Sequence, residues 1–82
     1  MKKKVIVEMQ DGLEARPIAM LVQTASQFKS RIYLEIQEKR VNAKSIMGVM
    51  SLVLLNGEAV TLDAEGPDDA EAIAALEAFL KK

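Results

Sequence analysis

Alternating apolar and polar residues predict four β-strands along the chain. In three stretches every second residue is apolar, the pattern of a strand with one face on a core. These positions are Val5, Val7 and Met9, then Ile32, Leu34 and Ile36, and finally Val60, Leu62 and Ala64. A polar turn after the second stretch leads into a short strand at residues 40–43, which predicts a hairpin. Asp11-Gly12 and Asn56-Gly57 are the other turn signals.

Two longer stretches have apolar residues at helical spacing. In residues 15–28 these are Ile18, Leu21, Val22, Ala25 and Phe28, and Pro17 suits the first turn. The last helix opens at residues 66–69, and its apolar stripe is Ile73, Leu76, Phe79 and Leu80. We expect acidic residues in its first turn and Lys81-Lys82 in its last turn, as the helix dipole favours.

A third, shorter helix is predicted after Ser45, a natural N-cap residue. The residues that follow it are dense in apolar side chains: Ile46, Met47, Val49, Met50 and Leu52. They are too dense for all of them to face inward, so we expect part of this helix to be an exposed apolar surface.

The element order β-α-β-β-α-β-α predicts the α+β class. A four-stranded antiparallel sheet covered on one side by three helices, an open-faced β-sandwich, accommodates this order. The 82 residues suffice for one core, so we expect residues 1–82 to form a single domain.

The charge balance argues against nucleic acid and membrane partners. Eleven basic and twelve acidic residues give a net charge of −1, which provides no field for collecting nucleic acid. The lysine run at residues 2–4 is interpreted as the solvated start of the first strand. No apolar stretch approaches a membrane span or follows those lysines as a secretion signal, so we expect a cytoplasmic protein.

Enzymatic chemistry is not expected. The sequence has neither cysteine nor histidine, which removes the common transition-metal ligands and the commonest general base, so no metal or cofactor is predicted. The acidic residues are interpreted as strand-face, turn and helix-start residues rather than a catalytic pair: Asp63, Glu65, Asp68 and Asp69.

Two segments resemble the HPr family of the bacterial phosphotransferase system. Residues 12–17, Gly-Leu-Glu-Ala-Arg-Pro, are similar to the family's active-site loop, whose histidine carries a phosphoryl group; Glu14 occupies that position here. Residues 41–52, Val-Asn-Ala-Lys-Ser-Ile-Met-Gly-Val-Met-Ser-Leu, resemble the regulatory serine segment, with Ser45 as the serine. Loss of the histidine with retention of the serine is similar to the Crh-like, catabolite-repression branch, in which glutamine usually replaces the histidine.

The resemblance implies a phosphorylation switch rather than a histidine phosphocarrier. It implies that HPr kinase/phosphorylase modifies Ser45 and that the modified protein is a corepressor for a LacI-type transcription regulator. By the same resemblance Arg16 is expected to contact partners. Ile46, Met47 and Met50 are expected to do so because they belong to the exposed apolar surface predicted beside Ser45. Apart from this motif, Ser45 can be a simple cap, the apolar residues can be core, and Arg16 can pair with a nearby carboxylate.

Other interpretations stay open at this point. Glu14 is a solvated acid, a partial mimic of phosphohistidine, or an acyl-phosphate acceptor in a carrier, since carboxylates accept phosphoryl groups in some enzymes. The chain is alternatively an inert HPr-fold interaction domain. Whether two copies form a homodimer is also open.

Overall fold

In the computed structural model, which describes residues 1–8, 15–52 and 57–81, seven elements follow one another in the predicted order. They are β1 (Lys2–Ile6), α1 (Ala15–Ser26), β2 (Arg31–Ile36), β3 (Lys39–Asn42), α2 (Ile46–Met50), β4 (Ala59–Glu65) and α3 (Asp69–Leu80). The predictions for Met9, Asp11-Gly12, Glu14, Asn56 and Lys82 lie outside the described residues.

The four strands form one antiparallel sheet in the order β1-β4-β2-β3. The predicted hairpin of β2 and β3 is therefore confirmed, with Gln37 in the left-handed region at φ 53°. The last strand of the chain, β4, lies between β1 and β2. It pairs Val5 with Val60 on one side and Leu34 with Leu62 on the other.

The core lies between one face of the sheet and the three helices. Alternation along the strands directs Val5, Leu34 and Leu62 to this face, where each is at most 2% exposed. The helices contribute buried residues at the predicted spacing: Ile18, Leu21, Val22 and Ala25 from α1, Val49 from α2, and Ile73, Leu76, Phe79 and Leu80 from α3. This arrangement confirms the predicted open-faced α+β sandwich.

The end of α3 differs from the prediction. The helix ends at Leu80, so its last turn contains no basic residue, and Lys81 is the C-cap. The Lys81 ammonium instead lies 3.6 Å from a carboxylate oxygen of Glu77, one turn earlier. The acidic first turn is as predicted, with Asp69 and Glu71.

No helix in the described ranges is both long enough and apolar enough to cross a membrane.

Candidate functional site

Ser45 is the N-cap of α2, as predicted. Its backbone is extended, at φ −109° and ψ 114°, and its hydroxyl oxygen accepts a hydrogen bond from the Gly48 amide at 3.2 Å. Its carbonyl accepts the first helical bond, from the Val49 amide at 2.9 Å. The Ser45 residue is half-buried at the N-terminal end of this short helix.

Gly48, in the first turn of α2, lies next to Ser45 and Val41. A Cβ at this position would be 3.4 Å from both Cβ and Oγ of Ser45, and 3.5 Å from Cβ of Val41. These are ordinary van der Waals distances, so the first turn of α2 has room for a Cβ at residue 48.

The exposed apolar surface predicted for α2 is present. Val49 and the following Leu52 are buried, whereas Ile46, Met47 and Met50 are 48%, 83% and 56% exposed. We call these three residues the α2 patch. Since Ile46 directly follows Ser45, the patch begins beside the candidate phosphorylation site.

Two lysines fix the ends of α2. Before the helix, the Lys44 ammonium donates to the Phe28 carbonyl, just past α1, at 2.6 Å. After it, the Lys39 ammonium donates to the Ser51 carbonyl at 2.9 Å, and the Ser51 hydroxyl donates to the Gly48 carbonyl at 2.6 Å. The five-residue helix thus depends on contacts to α1 and β3 rather than on its own length.

Glu14 and Arg16 make up the other half of the predicted site. Glu14 and the side chain of Arg16 lie outside the described residues, and the backbone of Arg16 belongs to the first turn of α1. The pairing of Arg16 with a nearby carboxylate therefore stays a prediction. The patch residues and Ser45 are the predicted site residues that the structure brings together.

Asn42 and Lys44 shape the backbone before Ser45, although the pattern of apolar and polar residues did not indicate them. The Asn42 side-chain oxygen accepts from the Lys44 amide at 2.8 Å, and its carbonyl accepts from the Ser45 amide at 3.1 Å. The sequence does contain a signal for this turn, because an asparagine side chain often accepts a hydrogen bond from the backbone amide two residues later.

Asp63 lies on the face of β4, as predicted, in an environment that the sequence did not indicate. It is only 5% exposed. Arg40 donates to it at 3.0 Å while lying 4.1 Å from the centre of the Tyr33 ring, and Lys2 is 3.9 Å away. Within the described ranges, no cluster of three or more acidic side chains is arranged to hold a metal ion.

Comparison with known proteins identifies the class of protein. A family model described as "PTS HPr component phosphorylation site" matches residues 1–82. The chain therefore belongs to the HPr family of the phosphotransferase system.

Within this family the chain is similar to both Crh and HPr proteins. The HPr-like protein Crh of Halalkalibacterium halodurans is 51% identical over 81 residues, which cover 99% of this chain and 96% of the relative. A crystal structure of phosphocarrier protein HPr from Bacillus anthracis matches with a TM-score of 0.94 and 46% identity, covering 98% and 95% of the two chains. A crystal structure of Bacillus subtilis Crh, a domain-swapped intertwined dimer, matches with a TM-score of 0.80 and 49% identity over 96% and 91%.

Proposed function

We propose that this Crh-like chain is a regulatory protein switched by phosphorylation of Ser45, and that it works in the cytoplasm. HPr kinase/phosphorylase is the proposed modifying enzyme, and a LacI-type transcription regulator is the proposed partner of the modified form. The observation that carries the proposal is the position of the regulatory serine: Ser45 caps α2 directly beside three exposed apolar side chains. The names of the Crh relatives support the same branch of the family.

The modification transfers the γ-phosphoryl group of ATP to Ser45 Oγ. A new P–O bond forms to the serine oxygen, the bond to the leaving ADP breaks, and the hydroxyl proton passes to a base outside this chain. The product carries about −1.5 to −2 charge and three strong acceptor oxygens at Ser45.

The switch is proposed to act by changing recognition. Ser45 Oγ already accepts a hydrogen bond from the Gly48 amide, and a phosphate also accepts hydrogen bonds, so α2 can keep its cap. The phosphate places charge next to the α2 patch without requiring a new fold. A regulator that offers an apolar pocket flanked by basic side chains would distinguish the two forms.

A histidine phosphocarrier role does not suit this sequence, because it contains no histidine. The carrier alternative would have to use Glu14 as an acyl-phosphate acceptor. Incubation with phosphoenolpyruvate and Enzyme I tests this alternative, and labelling that disappears in Glu14→Gln would favour a carrier.

The proposal is tested by incubation with HPr kinase/phosphorylase and ATP, followed by mass spectrometry of the intact chain and its fragments. We expect one phosphoryl group on Ser45 and none in Ser45→Ala, which should also lose about 1 kcal/mol of stability with the cap. Ser51→Ala is the matched control, since Ser51 lies at the other end of α2 and is exposed. Persistent labelling of Ser45→Ala, or loss of labelling in Ser51→Ala, would overturn the assignment.

A further inference from the structure

The four residues from Asn42 to Ser45, which we call the 42–45 turn, run from the last residue of β3 to the N-cap of α2 and are anchored to the sheet. The Ala43 amide donates to the Ile32 carbonyl on β2 at 2.9 Å, and the Ala43 side chain is fully buried. The position of the turn is thus set by the core. The direction in which it presents Ser45 depends on the residues on either side of Ala43.

Asn42 satisfies both backbone amides that follow Ala43. Its side-chain oxygen accepts from Lys44 at 2.8 Å, and its carbonyl accepts from Ser45 at 3.1 Å. Asn42 itself is exposed, so its side chain contributes little to the core. These two hydrogen bonds therefore hold the 42–45 turn in one conformation.

Lys44 fixes the same turn from the other side. Its amide is held by Asn42, and its ammonium reaches the Phe28 carbonyl at 2.6 Å. The segment that leads into Ser45 is thereby bonded to β2 through Ala43 and to Phe28, just past α1, through Lys44. It is also held by the bonds to Asn42 within the turn. The backbone that leads into Ser45 is consequently held before any partner binds.

We propose that Asn42 is a positioning residue for phosphorylation of Ser45, an inference that rests on the function proposed above. Phosphoryl transfer needs the acceptor oxygen in line with the leaving group, and small misplacements of a reacting atom are costly. A turn that already fixes Ser45 spares the kinase the ordering of this segment. Without the Asn42 side-chain oxygen, the Lys44 amide donates its hydrogen bond to water instead. The 42–45 turn can then adopt alternative conformations.

The test compares Asn42→Ala with Asn42→Ser in steady-state phosphorylation by HPr kinase/phosphorylase. Serine keeps a side-chain oxygen that can accept from an amide two residues on, whereas alanine has none. We expect kcat/KM to fall about fivefold in Asn42→Ala, the factor that suits loss of one intramolecular hydrogen bond. In Asn42→Ser it should stay within about twofold of the parent.

Amide hydrogen exchange of the unmodified chain separates positioning from a direct kinase contact. In Asn42→Ala the amides of Lys44, Ser45 and Gly48 should exchange faster, while the amide of Ser30, held by Asp68 elsewhere, should not change. The inference is overturned by an unchanged kcat/KM, by equal losses in both variants, or by a loss of kcat/KM without faster exchange.

The two proposals fail in different ways. A parent chain that the kinase does not label overturns the switch and the role of Asn42 together. A parent chain labelled on Ser45, with Asn42→Ala labelled equally well, overturns only the role of Asn42.

Discussion

Asp68 joins the start of α3 to the loop that follows α1. One carboxylate oxygen accepts from the amide and hydroxyl of Ser30, at 2.9 and 2.5 Å, and the other accepts from the Lys29 amide at 2.9 Å. Asp68 is thus the N-cap of α3 by position, but its side chain makes no capping bond to that helix. Asp68 therefore lies at the helix start, as predicted, but its side chain binds residues that are distant in the sequence, Lys29 and Ser30.

Gly66, two residues before Asp68, lets the backbone at the start of α3 lie against Ser30. This contact leads to a prediction for Gly66→Ala. Its φ is 153°, and an added Cβ would lie 2.6 Å from both Cα and Oγ of the buried Ser30. We expect a loss of about 1–3 kcal/mol from backbone strain and overpacking. Urea unfolding followed by circular dichroism measures the loss.

The control for Gly66→Ala is Gly57→Ala. Gly57 also has a positive φ, 91°, but an added Cβ would meet no described atom within 4 Å. It should therefore show the backbone cost alone and a smaller loss of stability. Equal losses in the two variants would show that contact with Ser30 is not what requires glycine at residue 66.

At the scale of elements, α2 has one side in the core and one side exposed. Val49 is buried, and the α2 patch lies on the exposed side. Since the exposed residues add little to packing, their substitution should separate binding from stability.

We predict that Met47→Gln weakens binding of the phosphorylated chain to a LacI-type regulator about tenfold while leaving stability within about 0.5 kcal/mol. Met47 is 83% exposed, and glutamine has a similar length and helix propensity. Titration calorimetry measures binding and thermal unfolding measures stability. Ile6→Gln is the control, because Ile6 is also exposed, at 45%, but lies on β1 at the opposite edge of the sheet. Similar losses of binding in both variants would contradict a specific role of the patch.

Element order, the hairpin and the half-exposed α2 could be predicted because each depends on local periodicity or a turn signal. The environment of Asp63 could not. Alternation places Asp63 on the polar face of β4, but its burial depends on Arg40, which reaches it from β3 across β2. The order and register of the strands decide this contact, and the alternation of residues within one strand predicts neither of them. The same reason explains why Asp68 was predicted only as a helix-start acid.

At the scale of the whole molecule, ion pairs connect elements on both sides of the sheet. On the open face, Arg40 bonds to Glu35 and Asp63, which joins β3, β2 and β4. On the helical side, the Lys3 ammonium on β1 donates to Glu77 on α3 at 2.7 Å. Carboxylates therefore help to hold the strands of the sheet to one another and the sheet to α3.

These contacts predict acid sensitivity. The Ser30 hydroxyl and the Lys29 amide lower the pKa of Asp68 below its ordinary 3.8, and the hydrogen bond from Lys3 lowers the pKa of Glu77 below its ordinary 4.5. Because the folded-state pKa of each is the lower one, its contribution is complete above the unfolded-state value and is lost as pH falls through the folded-state value.

Urea unfolding between pH 7 and about pH 3 measures this dependence. The free energy of unfolding should fall more gently with acidification in Asp68→Asn and in Glu77→Gln than in the parent, although both variants start less stable at pH 7. Glu71→Gln, a change at an exposed position of α3, serves as the control. Identical pH slopes in the parent and both variants would rule out a contribution from these carboxylates.

The position of β4 between β1 and β2 has a consequence for biosynthesis. On the ribosome, β1 emerges first but has no neighbour in the sheet until residues 59–65 have been translated. Among the four strands of the described ranges, β2 and β3 are the pair that can form early from neighbouring residues, as a hairpin. Completion of the sheet must therefore wait until β4 has been translated, and β1 is left without its partner strand while β2, β3 and the two helices before β4 are synthesised.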